Sequence, residues 1–264
     1  MKHAAIYFMI LLVSAVPALA RTDVMPQNAV EVRVISDNGA EYPRYRAHPA
    51  CERRAGSYFY MEAVRGEKYS IRVTNRTNRR VGVVIAVDGR NIISGQKSYL
   101  KNSERMYIIE PYATNEFEGW RTGMDRTNRF YFTGQSDSYA EKVFADASAM
   151  GTIAVAAYRE KERAVTPVTP REDKYSSRSK GAGGRSSSEQ CAKDEEAGTG
   201  FGETTYSPSY EVAFEPESGA SGTVVLKYEW RSELCRRGIV ACDRPNRLWP
   251  LTGGFAPVPD GFRE

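Results

Sequence analysis

An all-β fold, an antiparallel β-sandwich of jelly-roll or immunoglobulin-like type, is what this 264-residue sequence predicts. Three observations carry that expectation. Apolar residues recur with period two along most of the chain. The alternating runs are short and are divided by Gly, Asn and Asp at spacings of roughly ten to fifteen residues. A single segment, 139–147, has helical periodicity instead.

In chain order, residues 1–20 read MKHAAIYFMILLVSAVPALA, a basic start, an apolar run of about a dozen residues and a small-x-small ending at Ala18-Leu19-Ala20. This is the pattern of a secretory signal peptide, too short for comfortable membrane spanning, which takes roughly 20 apolar residues. The mature chain is expected to begin near Arg21, exported to the periplasm or beyond and without a stable transmembrane anchor. No cysteine follows the cleavage pattern, which argues against a lipid anchor.

Residues 21–162 are expected to form the β-sandwich domain. Val30, Val32 and Val34 alternate with Glu31 and Arg33, the mark of a half-buried strand. The pattern recurs at Tyr69, Ile71 and Val73, and at Val81, Val83, Ile85 and Val87, where Asp88-Gly89 supplies a hairpin turn into Asn91-Ile92-Ile93. Further strand candidates are 57–64, 104–110, 115–121, 129–133 and 152–158. The one helix is placed at 139–147, with Ser138 and Glu141 at capping-box spacing and Tyr139 and Val143 on one face.

From 163 to 207 the composition turns to Ser, Gly, Lys, Glu, Pro and Thr, which bury too little apolar surface to offset the cost of ordering. The expectation is a long flexible linker. Alternation returns at Tyr210, Val212 and Phe214 and at Val224, Leu226, Tyr228 and Trp230, so residues 208–264 read as a C-terminal β-hairpin followed by a Pro-rich tail carrying Trp249. Two strands alone are marginal in water. The hairpin is therefore expected to dock on the first domain; the alternative is a small separate module.

Cysteines occur at 51, 191, 235 and 242, an even count that in an oxidising compartment reads as two disulfides. Cys235 and Cys242 enclose six residues with Gly238 to turn the chain, and are the preferred pair. Cys51 with Cys191 follows by elimination. No CxxC occurs, so a metal site is not expected.

Once residues 1–20 are removed, 36 basic side chains face 33 acidic ones, a formal +3 that gives no reason to expect a nucleic-acid partner. Charge is nevertheless uneven. Residues 41–80 hold ten Arg and Lys against four Glu, and Arg76, Arg79 and Arg80 within them are candidate contacts for an anionic glycan or an acidic envelope protein. A second candidate is Glu118-Gly119-Trp120-Arg121-Thr122-Gly123, where Trp120 and Arg121 form the kind of pair that anchors protein interfaces, displayed between glycines. The competing reading is that Trp120 fills the bottom of the sandwich.

Catalytic patterns are scarce. The mature chain holds one histidine, His48, between Ala47 and Pro49, which reads as a surface residue; no GxSxG, HExxH, GxGxxG or P-loop pattern occurs. No cofactor is expected. The remaining enzymatic route is a carboxylate pair drawn from Glu110, Glu116, Glu118 and Asp125 around the aromatic stretch 112–120.

The segment 69–120, with VGVVIAVDGRNIISG and FEGWR, and the later KYEWRSELC and NRLWP resemble pieces of uncharacterised exported bacterial proteins. The resemblance covers roughly half of the chain, implies a secreted β-rich protein and carries over no catalytic residue. The function expected is that of a non-catalytic cell-envelope protein that binds a protein or glycan; the alternatives are a structural subunit of a surface assembly and a carboxylate-based polysaccharide hydrolase.

Overall fold

The computed structural model describes residues 28–47, 56–162 and 196–242. The expected signal peptide, His48, Cys51, Cys191, residues 163–195 of the expected linker and the Pro-rich tail lie outside the described residues.

The chain folds into two seven-stranded sheets. The first comprises β1 (Val30–Ser36), β4 (Lys68–Asn75), β8 (Thr114–Phe117), β9 (Gly119–Arg121), β10 (Arg126–Gly134), β12 (Ala197–Thr199) and β13 (Thr204–Tyr206). The second comprises β2 (Arg44–Arg46), β3 (Ser57–Ala63), β5 (Val81–Val87), β6 (Arg90–Asn91), β7 (Tyr107–Ile109), β11 (Thr152–Arg159) and β14 (Gly222–Trp230). The all-β expectation is met, with two short helices, α1 (Tyr139–Phe144) and α2 (Arg231–Arg236). Among the described residues every strand pair is antiparallel except β3 with β14.

The two sheets share one core. Val32, Val34, Tyr69, Ile71, Phe130 and Phe132 of the first meet Met61, Val83, Ile85, Val155, Leu226 and Tyr228 of the second. The period-two signal explains β1 directly: its valines point inward and pair with Val73 and Ile71 across the ladder. In β5 the alternation conceals a second buried face. All seven residues are buried, because Val84, with Ala156 and Tyr158 beside it, is covered by Leu100 and Met106 from a loop on the outer surface. Gly82 makes that cover possible, since a Cβ there would collide with Met106 and Phe214. Glu104 holds the loop, accepting from the Tyr99 and Lys101 amides at 2.8 and 3.0 Å and from the Ser98 hydroxyl at 2.7 Å.

The turn Asp88-Gly89 forms as expected. Both residues take left-handed φ, 47° and 75°, as a two-residue hairpin of this kind requires. Helix α1 starts at the Ser138 cap, whose hydroxyl accepts from the Glu141 amide, and stops at Phe144 rather than 147 because Ala145 turns left-handed at φ 48°. Helix α2 was not legible. It has no side-chain cap and only six residues, and it is anchored by fully buried Leu234.

Three corrections concern the C-terminal third. Residues 197–199 and 204–206, assigned to the linker, are strands; Ala-Gly-Thr looks featureless because β12 is held by its backbone ladder to β10 and by a buried polar network rather than by large apolar side chains. Residues 210–214 form no strand. Pro208 and Pro216 bracket them, and they belong to a surface strap, residues 207–221, that crosses from β13 to β14. Consequently β14 is not half of a docked hairpin but lies inside the second sheet, parallel to β3 and antiparallel to β11.

Cys235 and Cys242 form a disulfide with Cα atoms 4.8 Å apart, closing the chain after α2. Its short loop sets the expected contribution at about 2–3 kcal/mol in the loop-entropy picture. Reduction should therefore lower the thermal midpoint by roughly 4–12 °C for a chain of this size. Thermal unfolding with and without reductant checks this, and an unchanged midpoint would show the bond to be thermodynamically idle. No helix among the described residues is long and apolar enough to cross a membrane.

Candidate functional site

Trp120 is not displayed. It is 2 % exposed, its indole N–H donates to the Gly200 carbonyl at 3.0 Å, and its ring packs edge-on to Phe130 and tilted against Tyr139, with centroids 5.3 and 4.5 Å away. The reason is its place in β9, wedged beside β10, where the strand face opposite Arg121 points into the sandwich. Trp120 thus fills the sandwich, the competing reading of this segment, and is not displayed as a contact beside Arg121. Arg121 points the other way and serves as a clamp: Nε donates to the Tyr107 hydroxyl at 2.8 Å, Nη1 to the Ser207 carbonyl at 2.5 Å and Nη2 to the Ser207 hydroxyl at 3.0 Å. It fixes the start of the strap.

The three arginines of the expected basic face are paired. Arg76 meets Glu31; Arg79 reaches Glu162 and Glu217, both at 3.3 Å; Arg80 lies against Glu160, with Nε at 2.8 Å. A patch whose cations are already matched in this way projects little field. At these three positions the positive charge counted along the sequence is matched by acids distant in sequence, such as Glu160 and Glu217.

Three of the four carboxylates around the aromatic stretch are also engaged, and the fourth, Glu110, is exposed. Glu116 accepts from Ser70 at one oxygen and, at the other, from Arg72 Nη2 and Nε at 2.9 and 3.0 Å. Burial works to raise its pKa, but Ser70 and Arg72 outweigh it and hold the carboxyl below its ordinary range. Glu118 pairs with Arg129 at 2.8 Å, and Asp125 with Arg126 at 3.0 Å. A glycosidase needs one carboxyl kept protonated near neutral pH. Glu116 has the opposite bias.

The group with that kind of bias is Asp88, read from sequence only as a turn residue. It is 1 % exposed. Oδ1 accepts from the Gly151 amide at 2.9 Å and the Tyr228 hydroxyl at 2.6 Å; Oδ2 accepts from the Thr199 amide at 2.7 Å. The Thr199 hydroxyl lies 2.7 Å from both the Tyr228 and the Tyr69 hydroxyls, so three hydroxyls run in series to one carboxylate. Burial pushes the Asp88 pKa up to about 6 against these stabilising bonds, and raises both tyrosines well above their ordinary value. Asp88, Thr199, Tyr228 and Tyr69 are all sealed from solvent. The network therefore has no route to a substrate, and its chemistry is to lock β12 onto the turn after β5.

Surface features gather instead along the strap. Tyr206 and Tyr210 are 77 % and 84 % exposed, with Met124 and Val212 also exposed nearby in the chain path. The Ser207 and Ser209 amides donate to the Asp125 and Met124 carbonyls, both at 2.7 Å, which places Met124 against the strap. Two open depressions of about 530 and 570 Å³ flank its later part, one lined by Arg159, Lys161 and residues 217–221, the other by Arg80, Glu160, Lys161, Val212 and Ala213. The sequence hides these tyrosines because Tyr206 falls in the expected linker and Tyr210 reads as a strand residue. Among the described residues no group of three or more His, Cys, Asp and Glu is arranged to hold a metal ion. No family model, curated protein or solved structure matches this chain.

Proposed function

We propose that this chain is an exported, non-catalytic protein of the cell envelope that binds another protein through its strap and the adjoining end of β13, with Tyr210 of the strap and Tyr206 of β13 as the anchoring side chains. The observation that carries this reading is the exposure of two tyrosines that flank Ser207, the residue Arg121 clamps, with the exposed Met124 tied to the strap through its carbonyl. Tyrosine is enriched at interface hot spots, and contiguous exposed apolar surface marks interaction sites. Pre-fixing the strap lowers the ordering cost that a partner would otherwise meet. The ion-paired state of Glu116 and Glu118 weighs against the polysaccharide hydrolase.

Photo-crosslinking in intact envelopes tests the proposal. A photoreactive residue at position 206 or 210 is expected to give a discrete protein adduct, and one at Val143 on α1, which is also exposed, is expected to give none. Equal adducts at all three positions, or none at 206 and 210, would remove the strap as the contact. A ladder of adducts with the chain itself would favour the structural-subunit reading.

A further inference from the structure

Beside the strap, β11 and the chain entering β14 run together with Glu160 opposite Pro216 and Ala157 opposite Gly222. Between those pairs β11 uses two residues, Tyr158 and Arg159, while the opposing chain uses five, 217–221. The extra residues form a wide bulge fixed at both ends. The Glu217 amide donates to the Arg159 carbonyl at 2.8 Å, and Asn102 donates to the Glu217 carbonyl at 3.2 Å. At the far end the Ser221 amide and hydroxyl donate to the Ala157 carbonyl at 2.8 and 3.0 Å. Ser218, Gly219 and Ala220 between them are exposed.

We propose that this bulge, together with Arg159 and Lys161, binds an acidic saccharide, a chain bearing uronic-acid carboxylates. The inference stands apart from the tyrosine contact and does not depend on it. Its first support is charge. The two carboxylates that line the depressions are already held, Glu160 by Arg80 and Glu217 by Arg79. Arg159 and Lys161 take part in none of the ion pairs among the described residues, and both line the first depression. The second support is shape. The two depressions share Lys161, so they form neighbouring subsites, each within the ordinary size range of a small-ligand site.

The lining selects the ligand class. Apart from Val212 and Ala213 beside Lys161, Ala220 in the bulge and the ion-paired carboxylates of Glu160 and Glu217, it offers hydroxyls, backbone groups and cations. That suits a molecule polar on every side and charged at intervals along its length. Arg159 supplies the planar fork that matches a carboxylate, and Lys161 a second point charge between subsites. An acidic peptide fits less well. β11 is flanked on both sides, by β5 and β14, so a peptide has no open ladder here to join.

Titration of the isotopically labelled protein with trigalacturonate, followed by amide chemical shifts, tests the assignment. Saturable shifts at residues 159–161 and 218–221 are expected, with affinity falling at least tenfold in the R159Q/K161Q variant. Both side chains are exposed, so the variant should keep the wild-type thermal midpoint. Maltotriose, with no carboxylates, should leave these amides unmoved. Absence of shifts with trigalacturonate, equal binding of maltotriose, equal affinity for inorganic phosphate, or tighter binding of pentaglutamate would each overturn the proposal, the last in favour of an acidic peptide.

Discussion

Replacing Asp88 with alanine is expected to destabilise the protein by about 4 kcal/mol, because three buried donors lose their acceptor together and each unsatisfied buried group costs about 1–3 kcal/mol. The donors are the Gly151 and Thr199 amides and the Tyr228 hydroxyl. A domain has a total stability of about 5–15 kcal/mol, so the variant should sit near the edge of folding. The bonds also span the chain: Asp88 is 111 residues from Thr199 and 140 from Tyr228. Losing them frees β12 as well as the turn.

The same residue gives the stability a pH dependence whose sign is unusual for an aspartate. Its pKa rises from 3.8 to about 6 on folding, with burial as the largest cause. The folded chain then holds this proton more tightly than the unfolded chain. The contribution of Asp88 is greatest below pH 3.8, declines as pH rises toward 6, and levels off above it, a total loss of about 3 kcal/mol as an order of magnitude. Asp146 acts in the opposite sense. Burial works to raise its pKa, but Ser148 and Lys97 outweigh it and bring the value down to about 2, so its stabilisation is lost only as pH falls from 3.8 through that value. The two windows do not overlap. Urea unfolding at pH 4.5 and 7.5 should show wild type losing stability over this interval relative to Asp88→Asn, which cannot titrate. A wild-type minus variant difference that stays constant with pH would show that the Asp88 carboxyl is not perturbed.

Legibility followed the range of the interaction. β1 and β10 announce themselves because a strand's inward face is written in neighbouring residues. The second buried face of β5 is hidden, since its cover is a loop held by the polar contacts of Glu104. β14 is visible as a strand, but its parallel neighbour β3 lies more than 160 residues earlier, and no local pattern encodes that pairing. β12 is the extreme case, built from Ala197, Gly198 and Thr199, whose worth lies in a hydrogen bond to Asp88. At the candidate site the same rule holds. Arg79 and Arg80 look like a basic patch until Glu160, Glu162 and Glu217 fold back onto them.

Trp120 separates the core reading from the contact reading most sharply, and its replacement by alanine is expected to cost about 3–5 kcal/mol in stability, the range for emptying a buried aromatic site. Its environment sets that scale. The ring is enclosed by Phe130 and Tyr139, and the indole N–H satisfies the Gly200 carbonyl, which also steadies the chain between β12 and β13. Trp120→Phe should keep much of the packing and lose the hydrogen bond, for a smaller cost of about 1–2 kcal/mol. The order alanine, phenylalanine, wild type in increasing stability is therefore the expected result of urea unfolding. A displayed hot-spot tryptophan would behave otherwise, since exposed substitutions change stability by about 0.5 kcal/mol or less and act on binding instead. Finding Trp120→Ala as stable as wild type would return this residue to the surface. It would also undo the wedge of β9 against β10, on which the Arg121 clamp and hence the position of the strap depend.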